Sequence, residues 1–109
     1  MASPWWSSRP HAALAEAAEC DAALAGLLAE GRPIPPFFGV PCTVKENFAV
    51  AGMPHTSGLV CRRGALATCD ATAVARLRAA GFVVLGVTNL SELCMWCVLA
   101  RHGATAVRG

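Results

Sequence analysis

The stretch "GVPCTVKEN", residues 39–47, is a short apolar run that begins beside a glycine and a proline and ends in charged residues. The five residues 40–44 are too few for a stable helix, whereas such a run is typical of a buried β-strand. The strand would end at Lys45, the only lysine in a chain that has eight arginines. The sequence therefore predicts a strand at 40–44 with a lysine at its carboxyl end.

A second apolar run, "FVVLGVTN" at residues 82–89, follows a segment with helical spacing. Asp70 is predicted to cap a helix over 71–80, which Gly81 would end. Strand, helix and strand in this order predict a βαβ unit with two parallel strands and a right-handed crossover. Parallel strands need cover on both faces, which two strands and three helices cannot fully provide. We therefore expect an α/β fold that is incomplete: a βαβ unit of a parallel or mixed sheet with flanking helices.

The rest of the chain is predicted from its periodicity and from its glycines. An alanine-rich segment carries leucines along one helical face and is followed by Gly31, which predicts a helix over 12–30. Asn89 and Glu92 stand three residues apart, as in a capping box, and predict a third helix over 90–100. The remaining segments are expected to be an irregular tail at 1–11 and a long loop at 48–69 that holds a small hairpin.

Composition limits the classes of function. The chain has 109 residues, of which 55% are hydrophobic and only 15% charged, so little polar surface is left to cover an isolated core. This composition indicates a piece of something larger. The net charge is +2 and the arginines are scattered, which argues against nucleic-acid binding. Neither a membrane-spanning run nor a secretion signal is evident, so we expect an intracellular protein, cytoplasmic or membrane-associated and not secreted.

Six cysteines are present, and in a reducing compartment we expect them to be free thiols. Cys94 and Cys97 form a CxxC pair, which leaves open a small thiol or metal module. A zinc site needs a second pair at similar spacing, and Cys61 to Cys69 is too wide. We therefore expect neither a bound metal nor a cofactor.

Lys45 raises a chemical question, because the two basic side chains differ in how they respond to burial. Arginine keeps its proton at any working pH, whereas a desolvated lysine loses its own, so a site that needs a neutral amine as base must use lysine. The alternative is an ordinary solvated lysine whose stem lies on apolar surface. Neighbouring Glu46 is expected to face water. Lys45 and Thr88–Asn89 all fall at the carboxyl ends of the strands, where ligands of such sheets bind, and should lie near each other.

The segments "FFGVPCTVKENFAVAGMPHTSGL" (37–59) and "CDATAVARLRAAGFVVLGVTNLSELCMW" (69–96) resemble the first part of the amidase signature family, and most of all its fatty-acid amide hydrolase branch. In that family the lysine after the "GVP" strand belongs to a Ser-Ser-Lys catalytic triad, and the matching position here is Lys45. The resemblance implies that a buried, neutral Lys45 takes a proton from a nucleophilic serine through a bridging serine. The serine attacks an amide carbonyl, and the proton later goes to the leaving amine.

The chain also departs from the family. The glycine- and serine-rich segment of the GGSSGG type, which supplies the bridging serine, is missing from this sequence, which instead ends in "CVLARHGATAVRG". Neither Ser57 nor Ser91 matches a catalytic serine. The resemblance thus implies an irregular tail at 1–11, a fragment of an amidase domain at 12–100 and a divergent tail at 101–109.

The full-length form would act on a fatty-acid amide or a related small-molecule acyl amide, with membrane association possible and oligomeric state unresolved. This chain alone, which carries only the triad lysine, would be inactive. By the same resemblance the helix at 90–100 would run beside the acyl-binding channel, and Cys94 would line the channel and bind substrate; packing is the favoured alternative for Cys94. A non-catalytic truncated form, or the thiol or metal module on Cys94 and Cys97, remains the alternative function.

Overall fold

The computed structural model describes residues 6–95. Within them a three-stranded sheet is flanked by two α-helices, and two single-turn 3-10 helices lie in the connecting segments. No helix in this part of the chain combines the length and apolar character that crossing a bilayer requires. The strands are β1 (Trp6–Ser8), β2 (Pro41–Lys45) and β3 (Val83–Thr88), the helices are α1 (Pro10–Ala29) and α2 (Thr72–Ala79), and the 3-10 helices are Val60–Arg62 and Glu92–Cys94.

The sheet has the order β1-β3-β2, and β2 pairs with β3 in parallel, from Pro41 opposite Val83 to Lys45 opposite Thr88. Helix α2 lies between these two strands in the sequence, so the predicted βαβ unit is confirmed. Both strands form where the sequence predicts them, within one residue at each end, because short apolar runs favour a sheet that is covered on its faces. The sheet is mixed, since β1 runs antiparallel to β3.

Strand β1 was not expected, and the prediction of an irregular tail is wrong for residues 6–8. Ser7 lies opposite Val87 and Ser8 opposite Gly86. Three residues carry too little pattern to be recognised, and they are extended because β3 offers them an edge to pair with. Gly86 permits the approach, since a Cβ atom there would lie 2.9 Å from the Cα of Ser8 and closer still to the Ser7 carbonyl oxygen. A glycine inside a strand often marks such a close backbone approach.

Helix α1 confirms the prediction for 12–30, although it begins two residues earlier, at Pro10. Proline suits this first position because its missing N–H has no partner to lose there. Gly31, at φ +62°, follows the end of the helix in the left-handed conformation that glycine adopts easily. Only Ala13 of the helix is fully buried, and Leu14 is 70% exposed. Apolar burial therefore contributes little to holding α1 in place.

Ion pairs link α1 to the βαβ unit. The Glu16 carboxylate accepts hydrogen bonds from Arg9 at 2.8 Å and from Arg78 of α2 at 3.1 Å. Arg78 also donates through Nε to Asp70 at 2.9 Å. Asp70 was predicted to cap α2, but it does not. The N-cap residue is Ala71, which makes no side-chain capping hydrogen bond. The prediction is wrong because both Asp70 oxygens are used elsewhere, one by Arg78 and the other by the Ala51 N–H at 2.8 Å.

The core lies between the β2–β3 pair, α2 and the loop after β2. Its members are aliphatic and almost without solvent contact, with Cys42 and Ala71 packed against them. The loop reaches the core because its two arms pair, with backbone hydrogen bonds from Gly52 to Ala67 and between His55 and Ala65. The small hairpin predicted in residues 48–69 is thus confirmed. The core residues are Val44, Val50, Met53, Val74, Val84 and Val87.

The prediction of a third helix over 90–100 is wrong for residues 90–95. Only Glu92–Cys94 forms a turn, of the 3-10 type, and Leu93 and Cys94 have positive φ angles of 48° and 60°, which an α-helix excludes. Asn89 accepts a hydrogen bond from the Leu90 N–H and does not act as the cap, which is Ser91. Residues 96–100 of this prediction lie outside the described residues.

Candidate active site

The carboxyl ends of β2 and β3 meet as the sequence predicts. Lys45 lies opposite Thr88 in the parallel register, and the Glu46 N–H donates to the Thr88 carbonyl at 3.0 Å. This bond continues the ladder one residue past the end of β2. The backbone of Lys45 is therefore fixed at the carboxyl ends of the two strands, which is where ligands of open α/β folds bind.

The side chain of Lys45 is exposed. Residues 6–95 alone do not bury its amine, and burial of the amine in a longer protein stays a prediction. The reason is the alternation of β2: Val44 points inward and is buried, whereas Pro41, Thr43 and Lys45 are exposed on the other face. No residue in 6–95 covers it sufficiently to exclude water.

Glu46 is the residue that sequence reasoning missed. It was expected to face water, yet it is only 5% exposed. Its carboxylate accepts the backbone N–H groups of Thr56 and Ser57, one on each oxygen, the second at 3.0 Å. Hydrogen bonds to backbone donors are what allows a charged group to leave water. Its position two residues after buried Val44 was the available signal of burial. The N–H donors that make the burial possible lie ten and eleven residues further along the chain and could not be recognised from the sequence.

The loop that binds Glu46 is itself closely organised. Thr56 is buried, and its hydroxyl accepts the Gly58 N–H at 3.1 Å. Ser57 has a φ of +55°, which is uncommon for a residue with a side chain. The Ser57 carbonyl accepts the Leu93 N–H at 2.8 Å, and the chain passes so close that a Cβ at Gly58 would lie 2.9 Å from the backbone of Glu92. The end of β2, this loop and the 3-10 helix after β3 thus form one connected unit.

Cys94 lies at the end of that 3-10 helix, where it is exposed and its N–H donates to the Ser91 carbonyl at 2.9 Å. Its role in substrate binding stays a prediction, and Cys97 lies outside the described residues. The cysteines at 20, 42, 61, 69 and 94 are free thiols. Across residues 6–95 no three metal-binding side chains converge. Burial raises the pKa of the Cys42 thiol, and the charge of Arg78 opposes this in part.

A shallow groove of about 380 Å³ lies at the other end of the sheet. It is lined by residues of α1, among them Glu19 and Cys20, and by Phe38, Phe82 and Val83. Val83 begins β3, whereas Thr88 at its end lies beside Lys45. This groove is therefore separate from the candidate site.

Comparison with known proteins decides the family. A protein-family model described as Amidase matches residues 4–108. The chain belongs to this family. The match confirms the predicted amidase signature resemblance; it also includes residues 101–108, whose divergence stays a prediction. Human fatty-acid amide hydrolase 2 is 62% identical over 61 residues, which are 56% of this chain and 12% of that protein. Zebrafish (Danio rerio) fatty-acid amide hydrolase 2-A is 54% identical over 67 residues, 62% of this chain and 13% of that protein.

Solved structures agree with the sequence match. The peptide amidase of Stenotrophomonas maltophilia is 42% identical, with a TM-score of 0.63 over 79% of this chain and 16% of that one. The α/β fold with a mixed sheet is thus the fold of part of an amidase. This amidase chain spans about one-eighth of the length of the fatty-acid amide hydrolases that it matches.

Proposed function

We propose that this chain contributes the lysine of a Ser-Ser-Lys triad to an amide hydrolase that acts on fatty-acid amides or related acyl amides. One observation carries the proposal: in a chain of the amidase family, Lys45 ends β2 in register with Thr88, at the carboxyl edge of two parallel strands. The substrate class follows from the two fatty-acid amide hydrolases, which share more than half of their matched residues with this chain.

In this proposal an uncharged Lys45 accepts a proton from a bridging serine, which takes the proton of the nucleophilic serine as its oxygen attacks the amide carbonyl. The proton then returns through the same relay to the leaving amine as the C–N bond breaks, and water hydrolyses the acyl-enzyme. Both serines belong to sequence beyond these 109 residues. The backbones of Ser57 and Ser91 are engaged in the loop and the 3-10 helix, and neither is assigned a catalytic role.

The chain alone is proposed to be inactive. The proposed relay needs two serines that this chain does not supply, and within residues 6–95 Lys45 is exposed, without the cover that would desolvate it. Incubation of the purified chain with a long-chain fatty-acid amide should therefore give no product. Turnover that disappears in Lys45→Ala would overturn this part of the proposal.

The catalytic role is tested in a chimera in which this sequence replaces the matching segment of human fatty-acid amide hydrolase 2. The chimera should hydrolyse a long-chain amide, and Lys45→Ala should lower kcat/KM by about 10²–10⁴-fold, the usual contribution of a general base. Lys45→Arg should be equally poor, because arginine keeps its proton. Arg63→Ala, at an exposed turn, serves as the matched control and should stay within about twofold of the parent. A Lys45→Ala chimera with parental activity would refute the role.

A non-catalytic form that associates through an open sheet edge is the second candidate. In the described sheet β2 has only β3 as a neighbour, so its other edge is unpaired. Pro41 and Lys45 on this strand disfavour the addition of another strand, as prolines and lysines do on natural edges. Sedimentation velocity at rising concentration decides: self-association that Lys45→Val strengthens would favour this candidate, and a monomer throughout would remove it.

A further inference from the structure

We propose that Glu46 is a positioning residue for Lys45: its inward carboxylate holds the loop at 56–58 and thereby fixes the direction in which the lysine leaves the sheet. The proposal rests on the catalytic role of Lys45 proposed above. Its structural part is decided on this chain by itself.

Residue 46 is held at three points. Its N–H donates to the Thr88 carbonyl at 3.0 Å, and its two carboxylate oxygens accept from Thr56 and Ser57. Within residues 6–95 no arginine, lysine or histidine forms an ion pair with this carboxylate. The backbone N–H groups of Thr56 and Ser57 satisfy one oxygen each, so the loop and the carboxylate depend on each other.

The turn after β2 links this anchoring to Lys45. Glu46 is buried and Lys45 exposed, on opposite faces of the same backbone. Lys45 is the last residue of β2 and Glu46 begins the turn that follows, in which the Phe48 N–H donates to the Lys45 carbonyl at 2.9 Å. An inward Glu46 therefore fixes the start of this turn and, with it, the outward side of Lys45. If the carboxylate is released, the backbone at 45–46 keeps only its hydrogen bonds to Thr88 and Phe48, and the direction of the amine is held less tightly.

The anchoring depends on a carboxylate of this length. Here each of the two N–H donors reaches a different oxygen, and glutamate provides both acceptors. Glutamine keeps the shape but offers one oxygen, and its NH₂ group would face the second donor. Aspartate keeps the charge but is one CH₂ shorter. Glu46→Gln and Glu46→Asp therefore remove the same contact by different routes.

The effect should extend to the segment after β3. The Ser57 carbonyl accepts the Leu93 N–H at 2.8 Å, so the loop that Glu46 holds also orders the 3-10 helix. Loss of the carboxylate should loosen residues 56, 57 and 93 together. Residues of the core, such as Val84, should keep their protection.

The first experiment is amide hydrogen exchange on the 109-residue chain. In Glu46→Gln the amides of Thr56, Ser57 and Leu93 should exchange at least tenfold faster, while that of Val84 changes little. Glu46→Asp should act in the same direction and serves if the glutamine variant folds poorly. Glu19→Gln, which neutralises an exposed carboxylate on α1, is the control and should leave all four rates unchanged. Unchanged exchange at 56 and 57 in both Glu46 variants would overturn the proposal.

The second readout follows the lysine directly. Because Lys45 is the only lysine, ¹³Cε-lysine labelling gives a single side-chain resonance. This resonance should shift or broaden in Glu46→Gln and not in Glu19→Gln. In the chimera, Glu46→Gln should lower kcat at least tenfold with KM within about twofold, because the base is misdirected while the remaining binding surface is kept.

The outcomes separate the two proposals. A loosened loop with an unchanged lysine resonance and unchanged kcat makes Glu46 a structural residue only and overturns the positioning role. If the Lys45 resonance of the 109-residue chain shifts in Glu46→Gln, but the Lys45→Ala chimera keeps parental activity, the catalytic role of the lysine is refuted and its positioning by Glu46 stands.

Discussion

Gly86→Ala should remove β1 from the sheet and lower the free energy of unfolding. The same substitution at Gly26 should raise the free energy of unfolding. At position 86 the new Cβ would lie 2.9 Å from the Cα of Ser8, whereas ordinary Cβ contacts begin at 3.4 Å. The obstructing atoms belong to the backbone, so no side chain can turn away. At position 26, inside α1, nothing lies within 4 Å of the new methyl group.

The magnitudes follow from these distances. To accept a methyl group at 86, β1 must move by about 0.5 Å or more, and overpacking of this kind costs about 1–3 kcal/mol. The hydrogen bonds of the three paired residues of β1 would be strained or lost, at about 1 kcal/mol each. Because leaving the sheet avoids the overpacking, the lost hydrogen bonds set the result, and we expect a loss of about 3 kcal/mol in the free energy of unfolding. Alanine for glycine in a helix should add about 0.5–1 kcal/mol.

Urea unfolding followed by far-UV circular dichroism measures both changes. Amide exchange locates the loss, because the Arg9 N–H donates to the Leu85 carbonyl at 2.9 Å and should lose its protection only in Gly86→Ala. The reasoning is refuted if both variants shift the midpoint in the same direction. It is also refuted if Gly86→Ala keeps the protection of Arg9, since β1 would then remain paired.

Three further outcomes test the core, the ion pairs and the thiols. Val84→Ala should destabilise the chain by about 2–3 kcal/mol, because it removes two methyl groups from a fully buried site and leaves a cavity; urea unfolding measures this. Asp70→Asn should cost about 1 kcal/mol more than Glu19→Gln, with the difference shrinking in high salt, because Asp70 is partly buried and holds both an arginine and a backbone N–H. Cys42 should react with a disulfide reagent far more slowly than exposed Cys61, as followed by mass spectrometry. Since burial raises the pKa of Cys42, the folded state keeps this proton to higher pH than the unfolded state, and its contribution to stability should fall as the pH rises past the ordinary thiol range.

The βαβ unit could be predicted because its signals are local. The apolar runs at 40–44 and 82–89 each specify a covered strand, and the glycines at 31 and 81 mark where the helices end. The position of Lys45 beside Thr88 then follows from parallel pairing alone. For this reason the place of the candidate site could be predicted before any contact was known.

What could not be predicted depends on partners distant in sequence. Asp70 stands where a helix cap belongs, but its oxygens bind Ala51 and Arg78. Glu46 is a charged residue beside a turn, and only the N–H groups of a loop ten residues away make its burial possible. Trp6–Ser8 form a strand only because β3 has a free edge. In each case a long-range contact outweighs the local preference.

The exposure of Lys45 follows from the strand β2 that also places it at the carboxyl end of the sheet, opposite Thr88. A strand that buries Val44 presents Pro41, Thr43 and Lys45 on its other face, and within residues 6–95 that face carries no cover at Lys45. A general base that works as a neutral amine is favoured by cover there, because desolvation disfavours the charged form of a lysine. Such cover has to come from sequence outside these residues, as do the two serines of the proposed relay. The lysine is thus oriented by Glu46 within this chain, whereas its proposed catalytic chemistry requires the rest of an amidase domain against the exposed face of β2.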